Sequence, residues 1–225
     1  MEITVAGTGT ASLRPERATV HLSAGFEGPD PQTSLARTTD LVRRLADEIA
    51  RLEATRPSPT TWSAVLPIRT RSWRPYSDKG NLTPLVYAAV AQVQVKFRDF
   101  GALARFVDAW GGEEGVTLQS VQWTLTESTR QEQERRVLAQ AVGQARDRAR
   151  VVAGAADAGD VRFLEVADPG LLGGERPGSP QPLAMSARPV AAAAMSGGGP
   201  IELAPEDIEV SAVVHARFTT APEAG

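Results

Sequence analysis

Polar and apolar residues alternate with period two over residues 2–13, placing Ile3, Val5, Gly7, Gly9, Ala11 and Leu13 on one face. The same period returns over 18–26 with Ala18, Val20, Leu22, Ala24 and Phe26. Such alternation marks half-buried strands. The proline-containing turn Arg14–Arg17 lies between them, so the two strands are expected to form an antiparallel hairpin. The period then changes. Leu35, Thr38, Val42, Leu45, Ile49 and Leu52 recur at spacings of three and four, which predicts an amphipathic helix to about residue 54. Asp30 is its expected N-cap and Pro31 its first residue.

Residues 60–73 read as one strand, with Pro67 inside it at a sheet edge or a bulge. A polar loop follows over 74–84, and Leu85–Phe97 carries the clearest alternation in the chain. Tyr87, Ala89, Ala91, Val93, Val95 and Phe97 stand against Gln92, Gln94 and Lys96. Asp99 is expected to cap a short helix packed through Leu103, Phe106, Val107 and Trp110, and Gly111 and Gly112 end it. A strand over 116–126 comes next. Thr129 and Glu132 have capping-box spacing and open the longest helix. Leu138, Ala141, Val142, Ala145, Ala149, Val152 and Ala156 are its expected stripe, and its alanine content permits a close approach to a neighbour. A short strand over 161–166 and a closing strand over 207–219 complete the pattern.

The predicted order is β-β-α-β-β-α-β-α-β-β. Strands that follow one another without a helix pair antiparallel, so the fold class is α+β, a mainly antiparallel sheet with three helices. The chain reads as a single domain, 1–225. Residues 169–206, rich in Gly, Pro, Ala and Ser, are expected to form a flexible low-complexity loop or arm.

Composition narrows the function classes. The 225 residues carry a formal net charge of -3. That argues against a nucleic-acid partner, which would favour a basic surface. There are no cysteines, so disulfides, thiolate metal sites and cysteine nucleophiles are excluded. Met1 runs directly into a strand-like segment without a basic or apolar leader, which reads as a cytoplasmic chain.

No motif assembles a chemistry. Gly7 and Gly9 give a G-x-G, but Ser12 stands where a dinucleotide loop needs glycine, and a turn follows rather than a helix. His21 and His215 sit on strands, pointing away from Val20, Leu22 and Val214. Neither belongs to a metal or triad spacing. Glu113, Glu114, Glu132 and Glu134 read as helix-cap and loop carboxylates. No catalytic residue, metal ligand or cofactor is expected, and the chain reads as a non-enzyme. The cluster Arg69, Arg71, Trp73, Arg74 and Tyr76 is the most suggestive. Arginines and aromatic rings on one strand face fit a subunit interface or an anion, and a solvated strand end is the plain alternative. Trp62, Trp110 and Trp123 read as core or interface residues.

Several segments together resemble the SIMPL-domain family. The opening "ITVAGTGTASLRPERATVHLS" is similar to the family's first strand with G-x-G, then a P-D-x-A turn and a second strand. Pro15, Glu16, Arg17 and Ala18 form that turn here, with glutamate for aspartate. "RPY" (74–76), "VYAA" (86–89), the helix "AVGQARDRARVVAGAA" (141–156) and "PIELAPEDIEV" (200–210) resemble later family segments, with Val86 and Glu206 in place of glycines. The resemblance implies the same α+β fold and no established catalytic activity. It also implies export to the periplasm or cell surface in many members, and stress tolerance in some. A ring-like or channel-like oligomer occurs in one bacterial surface antigen, and kinase binding in an animal adaptor. The expected partners are therefore copies of the chain itself or another protein, with membrane association left open. The second expectation is a small-molecule or anion site, or an enzyme site, near Arg69, Arg71, Trp73 and Tyr76.

Overall fold

The structure is a computed structural model that describes residues 1–76, 83–172 and 205–220. Three helices and eight strands appear, and every strand pair is antiparallel. The class is α+β. The described chain divides into two compact units, one from residues 1–14, 125–172 and 207–220 and one from residues 15–124 with 205–206.

The first unit is a three-stranded sheet with one long helix. Strand β1 (Glu2–Leu13) pairs with β8 (Ile208–Thr220), from Glu2 opposite Thr219 to Leu13 opposite Ile208. Strand β7 (Val161–Ala167) pairs with the other side of β8. Helix α3 (Glu127–Ala155) buries Val137, Ala141, Ala145, Ala149 and Ala153. Spacing of four throughout makes this a narrow small-residue stripe. Leu138 and Val152, expected on it, are exposed, and Val137 and Ala153 take those places. The helix starts earlier than its Thr129–Glu132 spacing indicates, because Thr126 is the N-cap and accepts from the Thr129 N–H. Ile3, Val214, Ala216 and Phe218 close the core over the alanines, with Phe163 tilted against Phe218 at 4.4 Å.

The second unit is a five-stranded sheet with two helices on one face. Strand β2 (Arg17–Gly28) lies between β5 (Val86–Phe97) and β6 (Val116–Thr124). On the far side of β5 run β3 (Thr60–Val65) and β4 (Arg69–Trp73), end to end. The single strand expected over 60–73 is thus interrupted at Pro67. A proline lacks the N–H a ladder needs, and it sits where an interruption costs least, at the sheet edge. Helices α1 (Pro31–Ala54) and α2 (Phe100–Gly111) pack Leu41, Leu45, Ile49, Leu103, Phe106 and Val107 onto Val20, Leu22, Val93, Val95 and Phe97. Asp30 and Asp99 cap the two helices as expected.

The hairpin expected from β1 and β2 does not form. Each strand finds its partners elsewhere, β1 in β8 and β2 in β5 and β6. The Arg14–Arg17 segment therefore serves as a crossover. Just after Pro15, the Glu16 N–H bonds to the Thr124 carbonyl, which commits the following strand to the β6 side. Residues 173–204 hold most of the expected arm, and they lie outside the described residues.

Candidate functional site

Register decides which of the suggestive residues meet. In β4, Arg69 lies opposite Val90, Arg71 opposite Ala88 and Trp73 opposite Val86. Paired residues of an antiparallel ladder share a face. Thr70 and Ser72, opposite Ala89 and Tyr87, take the helix-covered face, because Ala89 continues the core row. Arg69, Arg71 and Trp73 therefore share the face away from α1 and α2. The Arg71 guanidinium stands 4.5 Å over the Trp73 ring, a contact that fixes both side chains on an exposed strand. The patch expected from the sequence is assembled to that extent.

Arg74 and Tyr76 do not join it. Arg74 turns away to donate to the Thr83 carbonyl at 2.8 Å. Tyr76 stands 91% exposed beyond the end of β4. Of the loop expected to border the patch, residues 77–82 lie outside the described residues.

The same face continues along β5, where no motif carries a functional signal. Lys96 lies opposite Thr19 on one side and Trp62 on the other, and Gln94 lies between His21 and Ala64. Trp62 is 48% exposed, so of the two expectations for it, core or interface, the core one does not hold. A bulge between Thr60 and Trp62 shifts the register there, and no periodicity announces a bulge. Trp110 and Trp123 do pack against the core. Arg17, Lys96, Arg69 and Arg71 all occupy this face, against one acid, Glu27. Among the described residues none of these four cations meets a carboxylate. In the same unit, Arg37 pairs with Glu114 and Arg44 with Glu113, at 2.8 and 2.7 Å. These two glutamates, read from the sequence as helix-cap and loop carboxylates, thus tie the turn before β6 to α1.

Two concavities adjoin these elements. One, of about 390 Å³, runs between the first turns of α1 (Pro31, Ser34, Leu35) and the helix-facing side of β4 and β5 (Thr70, Ser72, Tyr87). The other, about 430 Å³, lies between α1 and α2 over Leu52, Phe106 and Trp110, and its rim carries the Arg44–Glu113 pair. Beside the first, Thr38 is fully buried. Its hydroxyl donates to the Ala89 carbonyl at 2.9 Å and accepts the Phe26 N–H at 3.1 Å. The alternation pattern counts Thr38 as a stripe residue, and its polar role appears in the structure alone.

His21 and His215 occupy the strand faces expected for them, half-buried and opposite Gln94 and Ala6. Among the described residues no three His, Asp or Glu side chains are placed to hold a metal ion, and no buried side-chain polar atom lacks a partner. No helix among them is long and apolar enough to cross a membrane. Asp30, Glu127 and Arg130 depart from their ordinary pKa. The Asp30 carboxyl is lowered by the Thr33 hydroxyl and then by the Thr33 N–H. Glu127 is lowered by Arg130 and then by Gln131, and Arg130 is raised chiefly by Glu127. All three belong to the opening turns of α1 and α3, where they serve the helices.

The G-x-G has a packing role. A Cβ on Gly7 would lie 2.0 Å from the Ala141 carbonyl oxygen, and one on Gly9 2.0 Å from that of Val137. The glycines let β1 touch the α3 backbone across its alanine stripe, and β1 leads into no helix that could hold a phosphate. The first strand and the alanine helix, two of the segments that the family motifs mark out, thus interlock. A family model, SIMPL, described as a protein of unknown function (DUF541), matches residues 3–218. The chain belongs to the SIMPL family. No curated protein matches it at a significant level. For this SIMPL protein, the family description carries no activity, so a functional reading has to start from the surface just described.

Proposed function

We propose that this SIMPL protein is a non-enzymatic binding protein that acts by self-assembly or by pairing with another protein through its open sheet edges. The observation that carries the reading is β7. It is bonded to β8 on one side, and Leu164 and Val166 stand 54% and 45% exposed on it. Natural edge strands are commonly protected by charge, proline or cover, and an apolar edge is a template for another chain. A second copy offers the same strand, and an antiparallel edge can pair with itself about a two-fold axis. Light scattering on a sizing column tests the reading. Self-association at micromolar concentration, lost in Leu164→Glu/Val166→Lys, is expected. A strict monomer that also captures no protein partner would overturn it.

A second reading has its own observation, Arg71, which meets no carboxylate among the described residues and stacks on the Trp73 ring. It makes the face that Arg71 shares with Arg69 and Trp73 a site for a small anion. Thermal-shift screening with phosphate, carboxylates and sulfate should then show stabilisation that Arg71→Ala abolishes. The family's association with export and stress tolerance makes fractionation of the host, and survival of a deletion strain, the physiological readouts.

A further inference from the structure

We propose that the free edge of β4 is a docking site for an extended segment of a partner protein in which acidic residues alternate with apolar ones. The proposal deepens the protein-binding reading and rests on it. Among the described residues β4 is hydrogen-bonded as a strand to β5 alone, so its outward N–H and C=O groups are available to one more strand. A segment that takes them adds to the sheet, and main-chain bonds then supply affinity without regard to sequence.

Selectivity comes from what lies on each side of that edge. Side chains of an added strand alternate between the two faces, with about 6.8 Å between those on one face. On the helix side, the segment would lie along the groove of about 390 Å³ beside α1. That groove offers Leu35, 42% exposed, and the half-buried Tyr87, with the hydroxyls of Thr70 and Ser72. It takes apolar side chains of moderate size. On the opposite side Arg69 and Arg71 stand two residues apart, the same period as the added strand, with Trp73 beyond them. Neither arginine meets a carboxylate among the described residues. Acidic side chains on this side would give each guanidinium a charge-assisted bond. One face selects apolar residues and the other acidic ones, so the pattern selected is period two.

The Arg71–Trp73 stack holds one of the two cations in place before a partner arrives, which lowers the ordering cost of binding. The break at Pro67 defines the other end of the site. Main-chain pairing cannot continue smoothly from β4 into β3, so the site spans about five residues of partner.

Fluorescence anisotropy on the full chain tests this with three labelled octapeptides. One alternates glutamate and valine, one alternates lysine and valine, and one repeats the first with proline at two inner valines. Saturable micromolar binding of the glutamate peptide is expected, weakened about tenfold or more by Arg69→Glu/Arg71→Glu. The lysine and proline peptides should bind at least about tenfold more weakly than the first. Leu35→Glu, at an exposed helix position, should weaken binding of the first peptide while leaving the melting temperature unchanged. No saturable binding of the glutamate peptide would overturn the proposal. Equal binding of the proline peptide would do so too, leaving a charged patch without strand addition. Stronger competition by heparin or a single-stranded oligonucleotide than by unlabelled peptide would replace the partner with a polyanion. Light scattering on the same samples keeps the two readings apart, since a self-associating chain that ignores the peptide retains assembly and loses this site.

Discussion

At the scale of single residues, the glycines of β1 make the closest approach to neighbouring backbone among the described glycines. Gly9→Ala would push a methyl into the Val137 carbonyl, and backbone on both sides leaves nothing flexible to yield. The expected cost is about 3 kcal/mol or more, the upper range for overpacking. Gly143 is the internal comparison. It lies within α3 on the exposed side, and a Cβ there meets nothing within 4 Å. Gly143→Ala should stabilise by about 0.5–1 kcal/mol through helix propensity alone. Urea unfolding of the two variants checks both signs at once. A neutral Gly9→Ala would mean that β1 does not approach the α3 backbone this closely. The G-x-G was visible in the sequence, but its purpose was not. A glycine facing solvent and a glycine facing a helix read alike until the helix is placed against it.

At the scale of elements, the ends of α1 and α3 are built on different chemistry, and their pH responses should differ. Asp30 holds the Thr33 N–H at 2.7 Å and the Thr33 hydroxyl at 2.6 Å. Those bonds favour the carboxylate and lower its pKa below the ordinary 3.8. A carboxylate with a lowered folded pKa contributes stability that is intact above its unfolded value, and that contribution is lost as pH falls through the folded one. Thr126 caps α3 with a neutral hydroxyl. The melting-temperature difference between wild type and Asp30→Asn should therefore be present at pH 7 and shrink towards pH 2. The cap contribution removed by Thr126→Val carries no such dependence. Differential scanning calorimetry across that range checks the contrast. A difference for Asp30→Asn that stays constant with pH would sink it.

Legibility in the sequence follows the same division. Helix starts at Asp30 and Asp99, the alternation of β5 and the inward row of β8 were all readable, because local pattern and cap chemistry determine them. Strand partners were not. β1 and β2 adjoin in sequence and look like a hairpin, yet β1 pairs with β8 some 200 residues away, a choice no local window contains. The candidate site divides likewise. The shared face of Arg69, Arg71 and Trp73 follows from period two. The groove beside them needs α1 to lie across β5, and the exposure of Trp62 needs a bulge.

At the scale of the whole molecule, the aromatic residues make the two units separately observable. Trp62, Trp73, Trp110 and Trp123 all belong to residues 15–124, so intrinsic tryptophan fluorescence reports that unit alone. The 29-residue helix α3 belongs to the other unit and contributes the larger part of its far-ultraviolet circular dichroism. Each unit closes a core from its own residues. Leu22, Leu45, Val93, Phe97 and Leu103 do so in one, and Ala141, Ala145, Val214 and Phe218 in the other. A substitution confined to one core should then act first on that unit's signal, since two-state behaviour belongs to a single cooperative unit. Gly9→Ala should split the circular-dichroism melt, bringing forward the part carried by α3 while α1 and α2 follow the tryptophan midpoint, which stays close to that of wild type. Phe97→Ala, at a fully buried position, should lower the tryptophan midpoint together with the α1 and α2 part of the circular dichroism, leave the α3 part in place, and cost about 3–5 kcal/mol in the fluorescence transition. Coincident shifts at both probes for both variants would mean one cooperative unit instead of two. Divergent shifts would place the β4 edge and the β7 edge on separately stable bodies, so that either edge could be disabled by substitution without unfolding the other.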